Sequence, residues 1–472
     1  MFAGRRFELT QLQNLLKKQS ASLVVLRGRR RIGKSRLVEE FAKNSTFIQI
    51  AGVAPTANTT RESQLDQFLA QLRLYFDPKK EHFATWSEAF HLLAQHGQQG
   101  RVVILLDEIS WMGSQDDDFL GQLKNAWDHE FSKNSQLILV LCGSVSTWIK
   151  NEIINSTLFL GRLAFNLMLQ ELNLKEAWLF FHTDYLSSFE KLKILSVTGG
   201  VPRYLELVNP SISAEANIKN LLFVPNAPLL YEYDRIFNDI FGKKSGIYRN
   251  IIECLVSGAK TQADILDTIK RAKSGDLSFY LEDLIECGFI HRDFTGNIRT
   301  EKISNKSKYR LKDNFLRFYL KFVANYVLQI EAGFYEKSDI SALPEWNAFL
   351  GLQFENLVLN NIKLVMEKLN IDPLSIVFFG PYFQGKTNKA PGCQIDLLLQ
   401  TRTKILYVCE IKFSKYAVGL EVINQVKEKI KHMTVPKNFS IIPVLIHANG
   451  ISESLEDTQF FPYILNITDL TL

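Results

Sequence analysis

Three groups of residues in this 472-residue chain have types and spacings that could do chemistry. The first is "GRRRIGKSR", residues 28–36, which reads Gly28-x4-Gly33-Lys34-Ser35. Glycines so placed let backbone N–H groups turn toward a phosphate, and a helix starting there adds positive partial charge. Lys34 would reach the β- and γ-phosphates of ATP and Ser35 would hold Mg²⁺; Arg31, Ile32 and Arg36 complete the stretch expected to line the nucleotide. The second group is Asp107-Glu108, at the end of the apolar run Val102 to Leu106. Asp107 would bind the Mg²⁺ through water, and Glu108 would polarise the attacking water. The third is Asp396, Glu410 and Lys412 in "QIDLLLQTRTKILYVCEIKFSKY". These charges interrupt apolar runs, and burying charge is costly.

Each group needs an element to position it. The β-type run Leu23 to Leu26 precedes the first, and a helical stripe of Leu37, Val38 and Phe41 follows it, the strand–loop–helix context a phosphate-binding loop requires. A buried strand over Val102 to Leu106 would deliver its acids at the C-terminal tip, where open α/β sheets place ligands. A third strand, "QLILVLCGSV", ends at Cys142-Gly143-Ser144, with Ser144 placed as a γ-phosphate sensor. In the third group, side chains two apart on a strand share a face, so Glu410 and Lys412 project together. A short connection over 401–404 makes the two apolar runs a hairpin. Centred at Thr403, that hairpin sets Asp396 directly opposite Glu410; a one-residue slip puts them on opposite faces. Two facing carboxylates repel and take up a proton unless a cation shares the site. Mg²⁺ or Mn²⁺, which take oxygen ligands, would serve. Lys412 would then stabilise developing negative charge or position a metal-activated water. This is equipment for phosphodiester hydrolysis.

"FAGRRFEL", "GRRRIGKS", "LLDEISWM", "LCGS", "GR" and "GGVPRYLE", in that order, resemble the AAA+-related signal-transduction ATPases, specifically the archaeal-type ATPase family also found in bacteria. The resemblance covers about residues 1–240 and implies a parallel core sheet with helices on both faces and a small helical lid. It also implies that "FAGRRFEL" lies near the adenine and that Pro202 and Arg203 meet the nucleotide from the lid. Arg162 would be a finger acting on a neighbouring subunit or a sensor within its own; a plain surface arginine is the alternative. Acid-x13-Glu-x-Lys resembles the PD-(D/E)xK nuclease superfamily, whose order is a helix with an acid, a hairpin with the first Asp, then the E-x-K strand. "WNAFLGLQFENLVLNNI" supplies that helix, with Glu355 as a further metal-binding acid, and "VGLEVINQVKEKIKHM" the helix after the motif. Ile395 stands where the motif name has proline. The ATPase family is similar here too, since it commonly ends in such a domain.

From Gly246 onward the pattern reads as three short helices and a hairpin, the order of a winged helix-turn-helix. Thr261 and Ser274 are the expected N-caps, Gly288 the stop of the third helix, and Thr295-Gly296-Asn297 the hairpin turn. The candidate recognition helix, 274–287, has no Lys or Arg and carries Asp276, Glu282, Asp283 and Glu286, which a phosphate-lined groove would repel. The hairpin is basic, with Arg292, Arg299, Lys302, Lys306, Lys308 and Arg310, so phosphate contact through it stays open, as does a protein partner or a purely structural role.

Bulk properties bound the rest. Hydrophobic residues make up 46% and charged residues 22%, a soluble globular balance. The net charge of +5 permits contact with nucleic acid without arguing for it. There is no signal-peptide core and no run long enough to span a bilayer. The five cysteines are scattered, as expected for free thiols in a cytoplasmic protein. The expected fold class is α/β: a P-loop ATPase with a helical lid over 1–243, a winged helix over 244–335 and a restriction-endonuclease-like domain over 336–472. The expected function is an ATP-driven switch on a metal-dependent nuclease acting on nucleic acid, with DNA the first candidate. The alternative is a regulatory ATPase that binds nucleic acid or protein without cutting. Arg162 also leaves room for a homo-oligomer.

Overall fold

The computed structural model describes residues 2–56, 58–144, 148–182, 185–269, 276–386 and 391–471, and the chain forms two compact units, 1–170 and 171–472. In the first unit, five apolar runs become parallel strands: β1 (Ser22–Arg27), β2 (Thr46–Ala51), β3 (Val102–Asp107), β4 (Leu137–Gly143) and β5 (Leu163–Met168). Their order is β2-β3-β4-β1-β5. Alternate residues serve opposite cores. Leu23, Val25, Ile104, Leu106, Leu139 and Leu141 pack on one face. Val24, Leu26, Val103, Leu105 and Val140 pack on the other, against Leu37, Val38 and Phe41 of helix Lys34–Phe41. Burial on both faces is why the inner strands β1, β3 and β4 read as apolar runs, while the edge strands β2 and β5 are only partly buried. Because β3, β4 and β1 are neighbours and parallel, Asp107, Gly143 and the loop after Arg27 leave the sheet at the same edge.

The second unit holds a hairpin, β6 (Ile290–Asn297) with β7 (Lys302–Leu311), and a mixed five-stranded sheet. The sheet contains β8 (Ile376–Gln384), β9 (Cys393–Thr401), β10 (Ile405–Lys412), β11 (Ser440–His447) and β12 (Tyr463–Asn466), in the order β12-β11-β10-β9-β8. β8, β9 and β10 are antiparallel; β10, β11 and β12 are parallel. Helix Trp346–Asn360 packs Phe354, Leu357 and Val358 into one core with Leu397, Leu399, Cys409 and Ile411 of the sheet.

That core also contains Leu192, Ile194 and Leu195 of helix Ser188–Thr198. Residues 171–243, grouped with the ATPase by sequence, therefore fold with the C-terminal part. The Leu174 N–H donates to Asn361 Oδ1 at 2.8 Å, and Gln353 Nε2 donates to the Ser196 carbonyl at 2.7 Å. Phe189 stacks on Phe413 with ring centres 4.7 Å apart, and Phe413 meets Phe354 at 5.1 Å.

The middle stretch has helices Ser245–Cys254, Gln262–Thr268 and Asp276–Glu286 ahead of the hairpin. Thr261 caps the second helix through a capping box, as its sequence predicts; Ser274 lies outside the described residues. Gly288, at φ 77°, follows the third helix. The hairpin turn falls at 298–301 and not at Thr295-Gly296-Asn297. Those three residues extend β6, with an irregularity between Phe294 and Gly296, because they dock it on β8. Thr295 Oγ1 donates to the Phe383 carbonyl at 3.1 Å and accepts the Phe383 N–H at 3.2 Å. A Cβ on Gly296 would lie 2.8 Å from the Phe378 ring, so only glycine allows this approach.

Candidate functional site

The loop between β1 and helix Lys34–Phe41 is shaped by backbone geometry. Arg31 and Gly33 have φ 69° and 83°, the left-handed region that Gly33 adopts without strain. A Cβ on Gly28 would lie 2.6 Å from the Leu169 carbonyl oxygen. Ile32 is buried in the core beneath the loop, and Arg36 pairs with Glu39 at the surface, so both support the loop by packing or solvation. The Lys34 ammonium lies within the loop, donating to the carbonyls of Gly28 at 3.1 Å and Arg29 at 3.3 Å. Ser35 Oγ donates to Asp107 Oδ2 at 2.5 Å, which brings hydroxyl and carboxylate to one point. Glu108 follows at φ 49°, and burial pushes its carboxyl above the ordinary value despite the Lys34 charge, with a Ser144 backbone hydrogen bond acting in the opposite sense to burial. A buried, more basic carboxylate beside Lys34 suits a base that acts on water.

Residues 2–208 match the family described as an ATPase domain predominantly from Archaea. This stretch is an archaeal-type ATPase domain. The uncharacterized protein MJECL04 of Methanocaldococcus jannaschii is 25% identical over 418 residues, 88% of each chain. Among solved structures, the Walker-type ATPase Paby2304 of Pyrococcus abyssi aligns over 68% of this chain and 96% of its own, at 18% identity and TM-score 0.47. The Aeropyrum pernix ORC2 protein aligns over 70% and 94%, at 15% identity and TM-score 0.42.

Within the ATPase domain, Arg5 is a residue that the sequence left unmarked. It sits in "FAGRRFEL" at φ 62°, is 4% exposed, and donates to the carbonyls of Ile32 at 3.2 Å and Gln170 at 2.6 Å. It thus clasps the phosphate loop to the segment that follows β5. Arg162 is engaged bidentately by Asp128, at 2.7 and 2.8 Å, and holds that carboxyl far below its usual range. To act as a finger or sensor Arg162 would have to leave Asp128. Pro202 takes the first position of helix Pro202–Leu205, as expected of proline. Arg203 pairs with Glu206 at 3.0 Å on an exposed face. Both belong to the second unit.

The second unit answers the question of register. Leu406 pairs with Gln400, and Cys409 with Leu397, so the hairpin centres on Thr403 and its continuation sets Glu410 across from Asp396. The Ile411 N–H donates to Asp396 Oδ2 at 3.0 Å, fixing the carboxylate beside β10. Glu410 is 2% exposed. Lys412 Nζ lies 2.8 Å from Glu410 Oε1 and donates to Gln425 Oε1 at 2.8 Å. Lys429 Nζ bridges the two acids, 3.1 Å from Asp396 Oδ1 and 2.6 Å from Glu410 Oε2. Gln425 and Lys429 come from helix Glu421–His432 and were not marked in the sequence; their i, i+4 spacing on the helix after the motif was the available signal.

Burial and the Glu410 charge push the Asp396 carboxyl up, against the pull of Lys429. Burial pushes the Lys429 ammonium down, but the two carboxylates outweigh it and leave it raised. Glu355 is pushed up to about 7, first by burial and then by the charge of Asp396. Among the described residues, no three of His, Cys, Asp or Glu gather as a metal-holding group. The structure brings together Asp396, Glu410 and Lys412, and leaves Glu355 within electrostatic reach of Asp396.

Proposed function

We propose that the chain is an ATP-binding and ATP-hydrolysing switch whose C-terminal part, 336–472, is a PD-(D/E)xK-like nuclease acting on nucleic-acid phosphodiesters. The observation that carries the nuclease reading is the hairpin register, which puts Asp396 and Glu410 on one ammonium with Lys412 at 2.8 Å.

In the ATPase domain, Ser35 and Asp107 converge as oxygen donors, a set that suits Mg²⁺. Gly28, Gly33 and the start of helix Lys34–Phe41 would cradle the phosphates of ATP, with Lys34 among them and Ser144 close to Glu108. Glu108 would orient the water. In the C-terminal part, the donor set is two carboxylates already facing one cation, and Mg²⁺ is commonly held by one or two carboxylates plus substrate phosphate oxygens. Asp396 and Glu410 would hold such an ion, with Glu355 behind them. Bound there, it would supply positive charge to the reacting phosphate. Lys412, anchored by Gln425, would face that phosphate, and Lys429 would yield its place between the acids. The middle stretch would be a winged helix; its third helix, with Asp283 accepting from the Tyr248 hydroxyl at 2.6 Å and no Lys or Arg, suits protein or inter-domain contact better than a DNA groove.

The second reading is a regulatory ATPase that binds nucleic acid or protein without cutting. Lys429 favours it, since an acid pair neutralised by a lysine is also a stable structural element. A nuclease assay with Mg²⁺ or Mn²⁺ and ATP separates the two. Cleavage by wild type and its loss in Asp396→Ala are expected. Loss in Lys34→Ala as well would couple the two sites. Uncut DNA and RNA with wild type under every metal would leave only the regulatory reading.

A further inference from the structure

Three of the four residues between Gly28 and Gly33 of the phosphate loop are arginines, and the fold treats them differently. Arg29 is buried, and Arg31 takes the left-handed backbone of the turn. Arg30 is exposed at the tip of the loop. Its guanidinium carbon lies 5.9 Å from the centre of the Trp111 ring, within reach of a cation over an aromatic face. Trp111 stands on the short helix Ile109–Met112 directly after Glu108, and its N–H donates to the Glu108 carbonyl at 2.8 Å. Arg30 therefore reaches from the phosphate loop across to the turn that carries Glu108. The electrostatics agree with that placement. Burial raises the Glu108 carboxyl, the Lys34 charge opposes it, Asp107 adds to it, and the Arg30 charge opposes it again. The guanidinium thus acts on the same carboxyl as the loop lysine.

In ATP hydrolysis a water oxygen bonds to the γ-phosphorus, and the bond from that phosphorus to the β–γ bridging oxygen breaks. ADP leaves with the electron pair, and the proton of the water passes toward Glu108. At the transition state negative charge is spread over the oxygens of the transferring group. A guanidinium meets such charge with two parallel N–H donors. The other arginines of this domain that could serve are engaged elsewhere: Arg36 pairs with Glu39, and Arg162 is held bidentately by Asp128. We propose that Arg30 is a catalytic arginine of the ATPase, supplied by the chain that binds the nucleotide. Its guanidinium moves from the Trp111 ring onto the γ-phosphoryl oxygens as the group is transferred. This rests on the reading that Glu108 orients the attacking water.

Steady-state ATP hydrolysis and nucleotide titration on the full chain with Mg²⁺ test the proposal. Arg30→Ala should lower kcat about a thousandfold, the low end for a transition-state arginine, with KM and ADP affinity changed by no more than about twofold. Arg30→Lys should recover little, because an ammonium lacks the two-pronged fork. The second readout is binding of ADP with aluminium fluoride, a mimic of the transferring phosphoryl group. Wild type should hold it far more tightly than ADP alone, and Arg30→Ala should lose that gain while keeping ADP. A loop that had merely lost its shape would lose both. Mixing Arg30→Ala with Lys34→Ala chains should leave hydrolysis low; recovery on mixing assigns the arginine to a neighbouring subunit and overturns the proposal. A kcat for Arg30→Ala within about threefold of wild type overturns it too, as does an equal loss of ADP and of ADP with aluminium fluoride. The Glu108 reading fails separately, if Glu108→Gln hydrolyses as fast as wild type while the Arg30→Ala loss stands.

Discussion

Lys429 shows at the residue scale how this chain resolves a charge problem. Asp396 and Glu410 face each other across a hairpin, and the ammonium from helix Glu421–His432 neutralises both. Removing one member of a buried ion group typically costs about 3–5 kcal/mol, because the remaining charge has no counterpart. Lys429→Met should therefore lower the thermal midpoint in EDTA, and Mn²⁺ should restore most of the loss by taking the vacated position. Scanning calorimetry with and without Mn²⁺ reads this directly; a midpoint indifferent to Mn²⁺ in the variant would count against a metal-binding acid pair. The residues of this group differ in how visible they were. Asp396, Glu410 and Lys412 stood out as charges within apolar strands, whose period of two reports which face they share. Lys429 did not, because a lysine on an amphipathic helix has the same appearance whether it is solvated or turned inward. Arg5 was hidden for a similar reason: its role depends on a positive φ and on carbonyls far along the chain.

At the element scale, the hairpin β6–β7 is a docked wall and not a free arm. Its bulge bonds to β8, Gln400 Nε2 donates to the Ile298 carbonyl at 3.1 Å, and Asp293 and Arg310 form a buried pair at 2.9 Å. Burial raises the Asp293 carboxyl, but Arg310 and His291 outweigh it and hold it below the ordinary value. A depressed folded value means that this pair stabilises fully above the unfolded carboxyl value of about 3.9 and fades as pH falls through the lower folded one. Asp293→Asn should thus cost about 3–5 kcal/mol at pH 7 by denaturant unfolding, and its difference from wild type should shrink below about pH 4. A difference constant from pH 7 to pH 3 would show that the charge plays no part. Strands β1, β3, β4, β9 and β10 were legible as apolar runs, as was the N-cap at Thr261. The hairpin turn was misplaced because Thr-Gly-Asn carries turn chemistry, while the partner that recruits it, Phe383, lies far away in sequence.

At the scale of the whole molecule, each unit has its own sheet and core, and no described helix is long and apolar enough to cross a membrane. Ligand that binds only the folded state stabilises by mass action, about 2.7 kcal/mol at a hundred times its dissociation constant. ATP with Mg²⁺ should therefore raise the unfolding midpoint of the unit that holds the phosphate loop, and Lys34→Ala should abolish the rise; calorimetry at fixed protein concentration checks it. Motif order points to an ATPase followed by later domains, while long-range packing, which sequence does not display, groups 171–243 with the C-terminal unit. Helix Ser188–Thr198 lies inside the stretch that matches the ATPase family, yet Phe189 stacks on Phe413, the neighbour of Lys412, and Phe413 meets the tilted ring of Phe354, the neighbour of Glu355. The consequence is one of heredity. Recombination at residue 208 would part these rings and open the core of the second unit, so exchange between genomes is expected to be tolerated near residue 170 and not at 208.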